Sequence, residues 1–407
     1  MISPKKPLSH DKSKELFSKR TSSMNSDNQL VDKIIDKCDG IPLAIIAIAS
    51  LLVDRPLEEW QSVYDSIISG FEGDNTRTIL LYSYYDLPSN LKPCLLYLSM
   101  YPEDILIEKY TLISRWIAEG FVQHQTEEHT SLFDVGERFF NELLNRSMIQ
   151  PAENERAGII DGCRVYDIVL DLIRDLSAKE NFTKKKVGWH GLERKVRRLF
   201  IQCSTSEQSI PEGTIGMAEV MRSLHIINCS IDVLPLSSFQ ACRVVVATKG
   251  NIGDVQHLGK LLHLRYLELR NAYDYQKLPK EIGNLKSLQT LVIRYVTYRT
   301  EELTSTVSGL TQLMCLDLYH PFMKVPIDRL GNLVCLEELR LEVRLENDDF
   351  VVVLGKLIRL RVLRIMFRGS LNETSYKALI QSLNNLQKIR ELRLELYDSP
   401  PNSPVSM

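Results

Sequence analysis

The sequence predicts two architectures in one chain: a helical first half, then an α/β solenoid of stacked parallel strands. Three observations predict it. Apolar residues recur at helical spacing through residues 1–180. From residue 196 onward the pattern L-x-x-L-x-L returns every 21 to 29 residues. The two halves also differ in charge. Residues 1–180 carry 19 Lys+Arg and 29 Asp+Glu, a net of −10, and the chain totals of 50 and 52 leave 31 and 23 for the rest, a net of +8.

In the first half, "CDGIPLAIIAIASLLVD" (38–54) is the most apolar stretch. Its 13 uncharged residues, Ile41 to Val53, make roughly 20 Å of helix, short of the ~20 residues a bilayer core requires. A core helix is expected over Pro42–Leu52. Pro42 sits in its first turn, where a missing N–H costs nothing. Further helices are expected over Ser9–Arg20, Asp27–Lys37, Leu57–Ile68, Thr76–Leu81, Asn90–Leu98, Lys109–Ala118, Leu132–Leu144 and Asp167–Ala178, with Asp167 as an N-cap. The stretch "SMIQPAENERAGIIDGCRVYD" (147–167) has an apolar end, a charged turn and an apolar return. That is a two-stranded wing, and helices followed by a hairpin describe a winged helix. Its would-be recognition helix, Leu132–Leu144, carries Asp134, Glu137 and Glu142, which repel phosphates, so nucleic acid is not an expected partner.

The second half is a leucine-rich repeat. Clear units begin at 264, 288, 313, 336, 360 and 389, with weaker ones at 196, 221 and 242. One unit cannot bury its own leucines, so stacking is expected to produce a curved, horseshoe-like parallel sheet. Residues between the inward leucines then form a ladder expected to be exposed on the concave face. One row reads Phe200, His225, Val246, Glu268, Val292, Asp317, Arg340, Arg364, Arg393. The next runs Arg270, Arg294, Tyr319, Glu342, Met366, Glu395. Mixed Arg, acid and aromatic side chains suit a protein partner. Arg270, Arg294, Tyr319, Arg340, Arg364 and Arg393 are the candidate contacts.

Composition excludes several functions. The eight Cys are scattered without a C-x-x-C pair, which argues against a disulfide framework or a zinc site. The eight His are dispersed, and His124 and His129 are five apart, wrong for metal ligation from one helix face. Glu103 and Asp104 of "YPED" are adjacent and diverge, whereas acid–base catalysis needs convergence. No catalytic or metal site is expected. The N-terminus has no apolar signal core and no stretch is long enough to span a membrane, so a cytoplasmic location, or a peripheral one at the plasma membrane, is expected. The basic run 184–198 reads as a hinge and capping strand that docks on the acidic winged helix.

Specific blocks carry a resemblance. "GIPLA" (40–44) is similar to the Gly-Leu-Pro-Leu-Ala motif of plant NB-ARC disease resistance proteins. "LPSNLKPCLLYLSMYPEDILIEKYTLISRWIAEGFV" (87–122) resembles their L-P-x-x-L-K-x-C-F-L-Y…P-E-D…W-I-A-E-G-F segment, and "CRVYDIVLDLI" (163–173) resembles their Met-His-Asp region. "PLSHDKSKELFSKR" (7–20) resembles the segment that follows their nucleotide core. The fold this implies is helical and winged-helix subdomains of NB-ARC followed by a leucine-rich-repeat solenoid. The implied divisions are 1–82, a remnant helical subdomain; 83–180, winged helix; 181–195, hinge; 196–398, repeats; and 399–407, tail. The implied function is an immune receptor that holds ADP, exchanges it for ATP, and senses a pathogen effector or a guarded host protein through its repeats. By the same resemblance Pro42 would pack by the nucleotide base, and Tyr166 and Asp167 would stand at the phosphate.

Two departures set expectations against tight nucleotide binding. No G-x-x-x-x-G-K-[ST] loop occurs, and the resemblance places Met1 just after the phosphate-gripping core. The Met-His-Asp triplet reads Val165-Tyr166-Asp167, and a tyrosine cannot take up positive charge as histidine does. ADP or ATP binding is therefore expected to be weak or absent, and an ATPase is set aside. The competing reading is a regulator, decoy or repeat-based scaffold that works without nucleotide.

Overall fold

The computed structural model describes residues 6–21, 29–53, 55–70, 74–124, 130–154, 159–187, 196–203, 220–228, 239–249, 255–271, 280–294, 307, 309–319, 330–344, 353–368 and 372–397. The chain divides into two compact units, Met1–Thr183 and Lys184–Met407. The expected tail, 399–407, and residues 188–195 of the expected hinge lie outside the described residues.

The first unit opens with α1 (His10–Thr21), α2 (Gln29–Lys37), α3 (Pro42–Leu52), α4 (Leu57–Gly70) and α5 (Asn75–Asp86). The α3 bounds are those expected. Ala44, Ile45, Ala47, Ile48, Ala49, Leu51 and Leu52 are all buried, so nearly the whole circumference is covered, with α1 and α5 packed against it. The turn before it is left-handed at both Asp39 (φ 52°) and Gly40 (φ 67°). The Leu8 amide donates to the Gly40 carbonyl at 2.9 Å, and a Cβ on Gly40 would fall 2.5 Å from the Leu8 oxygen. Only glycine fits there. Helix α5 runs five residues beyond the expected Thr76–Leu81. Its aromatic run Tyr82, Tyr84, Tyr85 is poor in intrinsic helix preference, but α5 packs against a later helix, and that packing outweighs propensity.

The winged part follows: α6 (Leu91–Tyr97), a 3₁₀ turn at Leu98–Met100, β1 (Ile107–Glu108), α7 (Lys109–Glu119), α8 (Leu132–Asn145), β2 (Gln150–Asn154), β3 (Ile159–Arg164) and α9 (Asp167–Lys179). The expected hairpin is present, with a register shift at Ala152/Glu153. A third strand, β1, pairs antiparallel with β3, giving the order β1-β3-β2. Gly162 permits that pairing, since a Cβ there would sit 2.4 Å from the Ile107 carbonyl oxygen. Helix α7 ends on Gly120 in the left-handed conformation (φ 86°). Gly136 of α8 lets that helix close on α7, where a Cβ would meet Ile113 at 2.4 Å. The acids of α8 are engaged inside the unit: Glu137 with Lys109 at 2.9 Å, and Glu142 with Arg146 at 2.6 Å. Arg146 also reaches Asp86 at 2.8 Å.

Among the described residues the second unit forms a ten-stranded, all-parallel sheet in sequence order: β4 (Lys184–Val187), β5 (Arg198–Gln202), β6 (Ser223–Ile227), β7 (Val244–Thr248), β8 (Tyr266–Arg270), β9 (Thr290–Arg294), β10 (Cys315–Tyr319), β11 (Glu338–Arg344), β12 (Val362–Arg368) and β13 (Glu391–Tyr397). Each leucine-rich unit supplies one strand, and β4, from the basic run, precedes the first. The register lines Leu199, Leu224, Val245, Leu267, Leu291, Leu316, Leu339 and Leu363 into one inward column. A second inward column runs from Ile201 through Leu269 and Leu318 to Ile365. Both columns are buried in one continuous core. The long step between the last two units holds α10 (Glu373–Asn384), capped by Asn372, whose side chain accepts from the Ser375 amide at 2.8 Å. Cysteine usage departs from expectation at one place: Cys203, just after β5, is disulfide-bonded, while Cys38, Cys94, Cys163, Cys242, Cys315 and Cys335 are thiols. Pairing cannot be read from cysteine spacing alone.

Candidate functional site

The strand residues between the inward columns share the other face of the sheet, as alternation requires. Arg270, Arg294 and Tyr319 stand in one row, and Arg340, Arg364 and Arg393 in the row beside it. The expectation of an exposed ladder is corrected. His225, Glu268, Val292, Asp317, Arg340 and Glu342 are buried, Arg270, Arg294, Tyr319 and Arg364 are half-buried, and only Arg393 of the six candidates is exposed. Strands about 4.8 Å apart crowd long side chains and force them to pair.

The pairing is systematic. Adjacent strands place Arg beside Arg at 270 and 294 and at 340, 364 and 393, an unfavourable arrangement by itself. Acids offset it. Arg270 Nε meets Glu268 Oε1 at 2.5 Å, and Arg294 holds Asp317 through both ends of its guanidinium, with Nε to Oδ1 at 2.9 Å. Arg340 contacts Glu338 at 2.5 Å and Asp317 at 3.7 Å. Arg364 meets Glu391 at 2.5 Å, Arg368 pairs with Glu342, and Arg393 meets Glu395 at 2.6 Å. Tyr319 points its hydroxyl to the Met366 sulfur at 3.6 Å. Burial pushes the Glu338 carboxyl above its ordinary value, with Arg340 opposing, and burial drives the Cys315 thiol well upward. The first repeats continue the face with aromatics: Phe200 stacks on His225 at 6.4 Å, and Lys185 lies 5.5 Å over the Phe200 ring. The face can hold a shaped, charge-patterned partner. Glu338 and Glu342 stand on the same face as Arg340 and pair with Arg340 and Arg368, and a pattern of residue types does not show which carboxylate a guanidinium will meet.

The residues that the resemblance places at a nucleotide lie on three elements of the first unit. Pro42 is exposed at the first position of α3. Tyr166 is the residue before α9, half-buried, and burial raises its phenol. Asp167 is the first helical residue and Tyr166 occupies the cap position without a side-chain bond, which corrects the N-cap expectation for Asp167. Helices α3 and α9 both pack on α5. Around Asp167 the charge is acidic: desolvation first, then Asp104, Glu103 and Asp171, raise its carboxyl, against the pull of Arg174. Arg174 is itself engaged, 2.8 Å from Glu103 and 3.6 Å from Asp171, and it donates to the Tyr101 carbonyl. It anchors the "YPED" turn, left-handed at Asp104 (φ 56°), onto α9. A carboxylate-rich setting with its arginine already paired does not fit a diphosphate. Among the described residues no group of His, Cys, Asp or Glu is placed to hold a metal ion, and no helix is long and apolar enough to cross a membrane.

A winged helix in one unit and a leucine-rich parallel solenoid in the other define the class of this protein. Residues 100–173 match the disease resistance protein winged helix domain, and residues 220–404 match a leucine-rich repeat region. The chain is 33% identical over 313 residues to disease resistance protein Pik-2 of rice, covering 70% of this chain and 30% of that one. It is 28% identical to disease resistance RPP13-like protein 4 of Arabidopsis thaliana over 90% of this chain and 44% of the relative. It is 31% identical to ToMV susceptible protein tm-2 of tomato, over 70% and 36%. The chain belongs to the plant disease resistance proteins that join this winged helix to leucine-rich repeats. It spans about a third of the length of Pik-2. Among solved structures, an internalin of Listeria monocytogenes aligns over 51% of this chain and 56% of its own at 18% identity and a TM-score of 0.34. A Leptospira interrogans leucine-rich-repeat protein aligns over 54% and 62% at 15% and 0.37.

Proposed function

We propose that this chain serves plant defence as a recognition protein, contacting a pathogen effector or a guarded host protein through the charged face of its repeat sheet. The observation that supports the reading is the paired double row Arg270–Arg294–Tyr319 and Arg340–Arg364–Arg393, on a fold shared with plant disease resistance proteins. Recognition, with no chemistry of its own, is the activity proposed, in the cytoplasm or at the inner face of the plasma membrane. The opposite charges of residues 1–180 and of the remainder support intramolecular docking of winged helix on repeats, which high salt should weaken.

For nucleotide, the proposal is that this chain alone holds ADP or ATP weakly or not at all. Calorimetric titration tests this, and tight Mg²⁺-dependent binding would refute it. The recognition role is tested in the plant. Loss of the gene should raise growth of at least one pathogen strain, and the wild-type chain, but not an R294E/R364E variant that still folds, should restore resistance. Unchanged disease across a broad pathogen panel would count against the reading.

A further inference from the structure

In every repeat from β8 to β13 the chain enters its strand through the same tight turn. Two apolar residues bracket two others, and the amide of the second bracket donates to the carbonyl of the first: Leu264 to Leu261 at 2.8 Å, Leu288 to Leu285 at 2.9 Å, Leu336 to Leu333 at 3.0 Å, Leu360 to Leu357 at 3.0 Å. The bracketing leucines are buried, so the two residues between them turn outward. The strands are parallel and stack in sequence order, which sets all these tips on one flank of the solenoid, at the amino ends of its strands. The described residues run unbroken from each of these turns into its strand.

What the tips carry is one-sided. Leu262, Val334 and Ile358 each follow the first bracketing leucine of their unit and are 60%, 62% and 62% exposed. Lys286, Arg359 and Lys388 are exposed at neighbouring tips, and Lys286, though it donates to the Gly309 carbonyl at 3.0 Å, keeps its charge on this flank. None of the residues at these tips is acidic. A second row adds to the charge. The residue just before each strand bonds its counterpart in the unit before it: the Arg222 amide donates to the Arg197 carbonyl at 2.7 Å, Arg243 to Arg222 at 2.7 Å, and Arg265 to Arg243 at 2.8 Å. Four arginines therefore stand in consecutive units on this flank, Arg197 exposed and the others half-buried. Further along the same row Glu337 is met by Arg361 at 3.4 Å.

Like charges gathered on one side make a positive field that collects anions. Nucleic acid would use the cations but offer nothing to the protruding leucine, valine and isoleucine. A protein would need a fitted pocket for each of three apolar side chains that stand apart. An anionic bilayer takes both: its headgroups meet the cations, its interface admits isolated apolar side chains at any spacing, and a plane can rest on several stacked units at once. We propose that this flank is a membrane-contact surface, and that its partner is a bilayer containing anionic phospholipid. It supplies the contact for the membrane location proposed above and rests on that reading, not on the recognition role.

Co-sedimentation of the full chain with vesicles tests this, using phosphatidylcholine alone and an equal mixture of phosphatidylcholine and phosphatidylserine. The chain should pellet with the mixed vesicles, stay in solution with the neutral ones, and be released by high salt. A cation close to an anionic surface is worth about fivefold in binding, so R359E and K388E should each weaken it by about that factor or more. I358S should weaken binding without changing its salt dependence, since it removes no charge. K249E makes the same charge change at an exposed residue just past the carboxyl end of β7, on the other flank, and should bind as the wild type does. Wild-type chain that pellets with neither vesicle, or with both alike, overturns the proposal whatever the variants do. So does a loss with K249E equal to that with R359E, which would assign the binding to net charge, or an I358S that binds as tightly as the wild type. Capture on polyglutamate without vesicle binding would assign the flank to an acidic protein instead. No effector or host protein is present in this assay, so its failure leaves the recognition role standing, and failure of the plant test leaves vesicle binding standing.

Discussion

Arg340 spans two strands: one end of its guanidinium lies 2.5 Å from Glu338 on its own strand, and another nitrogen lies 3.7 Å from Asp317 on the strand before. All three side chains are buried, so the cation is what makes two buried carboxylates tolerable. R340M keeps much of the volume and removes the charge. Breaking a buried ionic group typically costs 3–5 kcal/mol. Arg294 still holds Asp317 here, so a loss of about 2–4 kcal/mol is expected in the unfolding of the repeat unit. Denaturant titration checks it, and a loss under about 1 kcal/mol would mean that solvent screens the cluster.

The same cluster predicts a pH dependence. The Glu338 carboxyl is raised from 4.5 by burial. Between its ordinary and raised values it binds more protons folded than unfolded, so its contribution to stability falls as pH climbs through that window. Above the window the full cost of a buried charge remains. E338Q should therefore gain stability relative to the wild type as pH rises from 4.5 to neutrality. Unfolding curves at a series of pH values measure the difference, and a difference that stays flat would show that Arg340 keeps Glu338 ionised throughout.

How much of this was legible in residues alone depends on whether the signal was periodic. The parallel strands follow from leucine spacing, and α3 from an apolar run between a Gly-Ile-Pro turn and Asp54. Strand β1, two residues long, has no period to detect. Its pairing depends on Gly162, whose missing side chain has meaning only beside Ile107. The burial of the ladder has no such signal, because alternation tells which face a residue takes, not how its neighbours fold over it. Aspartate favours the cap position, yet at Asp167 the chain turns one residue earlier, at Tyr166.

Gly40 begins the "GIPLA" motif, and its structural demand is testable apart from any ligand. At φ 67° a side chain is strained, and a Cβ would meet backbone, the Leu8 oxygen at 2.5 Å, which cannot rotate away. G40A is expected to destabilise the first unit by about 2 kcal/mol, within the 1–3 kcal/mol typical of a held unfavourable conformation. It should also release the segment at Leu8, seen as faster amide exchange at that residue, whose N–H is bonded to Gly40. A stable G40A with unchanged protection would show that the turn can shift without loss.

Trp116, in the "RWIAEGF" part of the family block, is fully buried, and its indole Nε1 has no hydrogen-bond partner among the described residues. Packing, not polarity, is thus its contribution. W116A should cost about 3–5 kcal/mol through the cavity it opens between α7 and its neighbours. W116F removes the unsatisfied donor along with part of the ring. The relief of a buried unpaired N–H, worth about 1–3 kcal/mol, offsets much of the lost volume. W116F is therefore expected within about 1.5 kcal/mol of the wild type, the usual range for tolerated apolar swaps. Thermal unfolding of the two variants side by side measures the gap. Equal damage from both would mean that the indole N–H bonds a group the packing does not reveal, and the block's tryptophan would then be a polar anchor as well as a core residue.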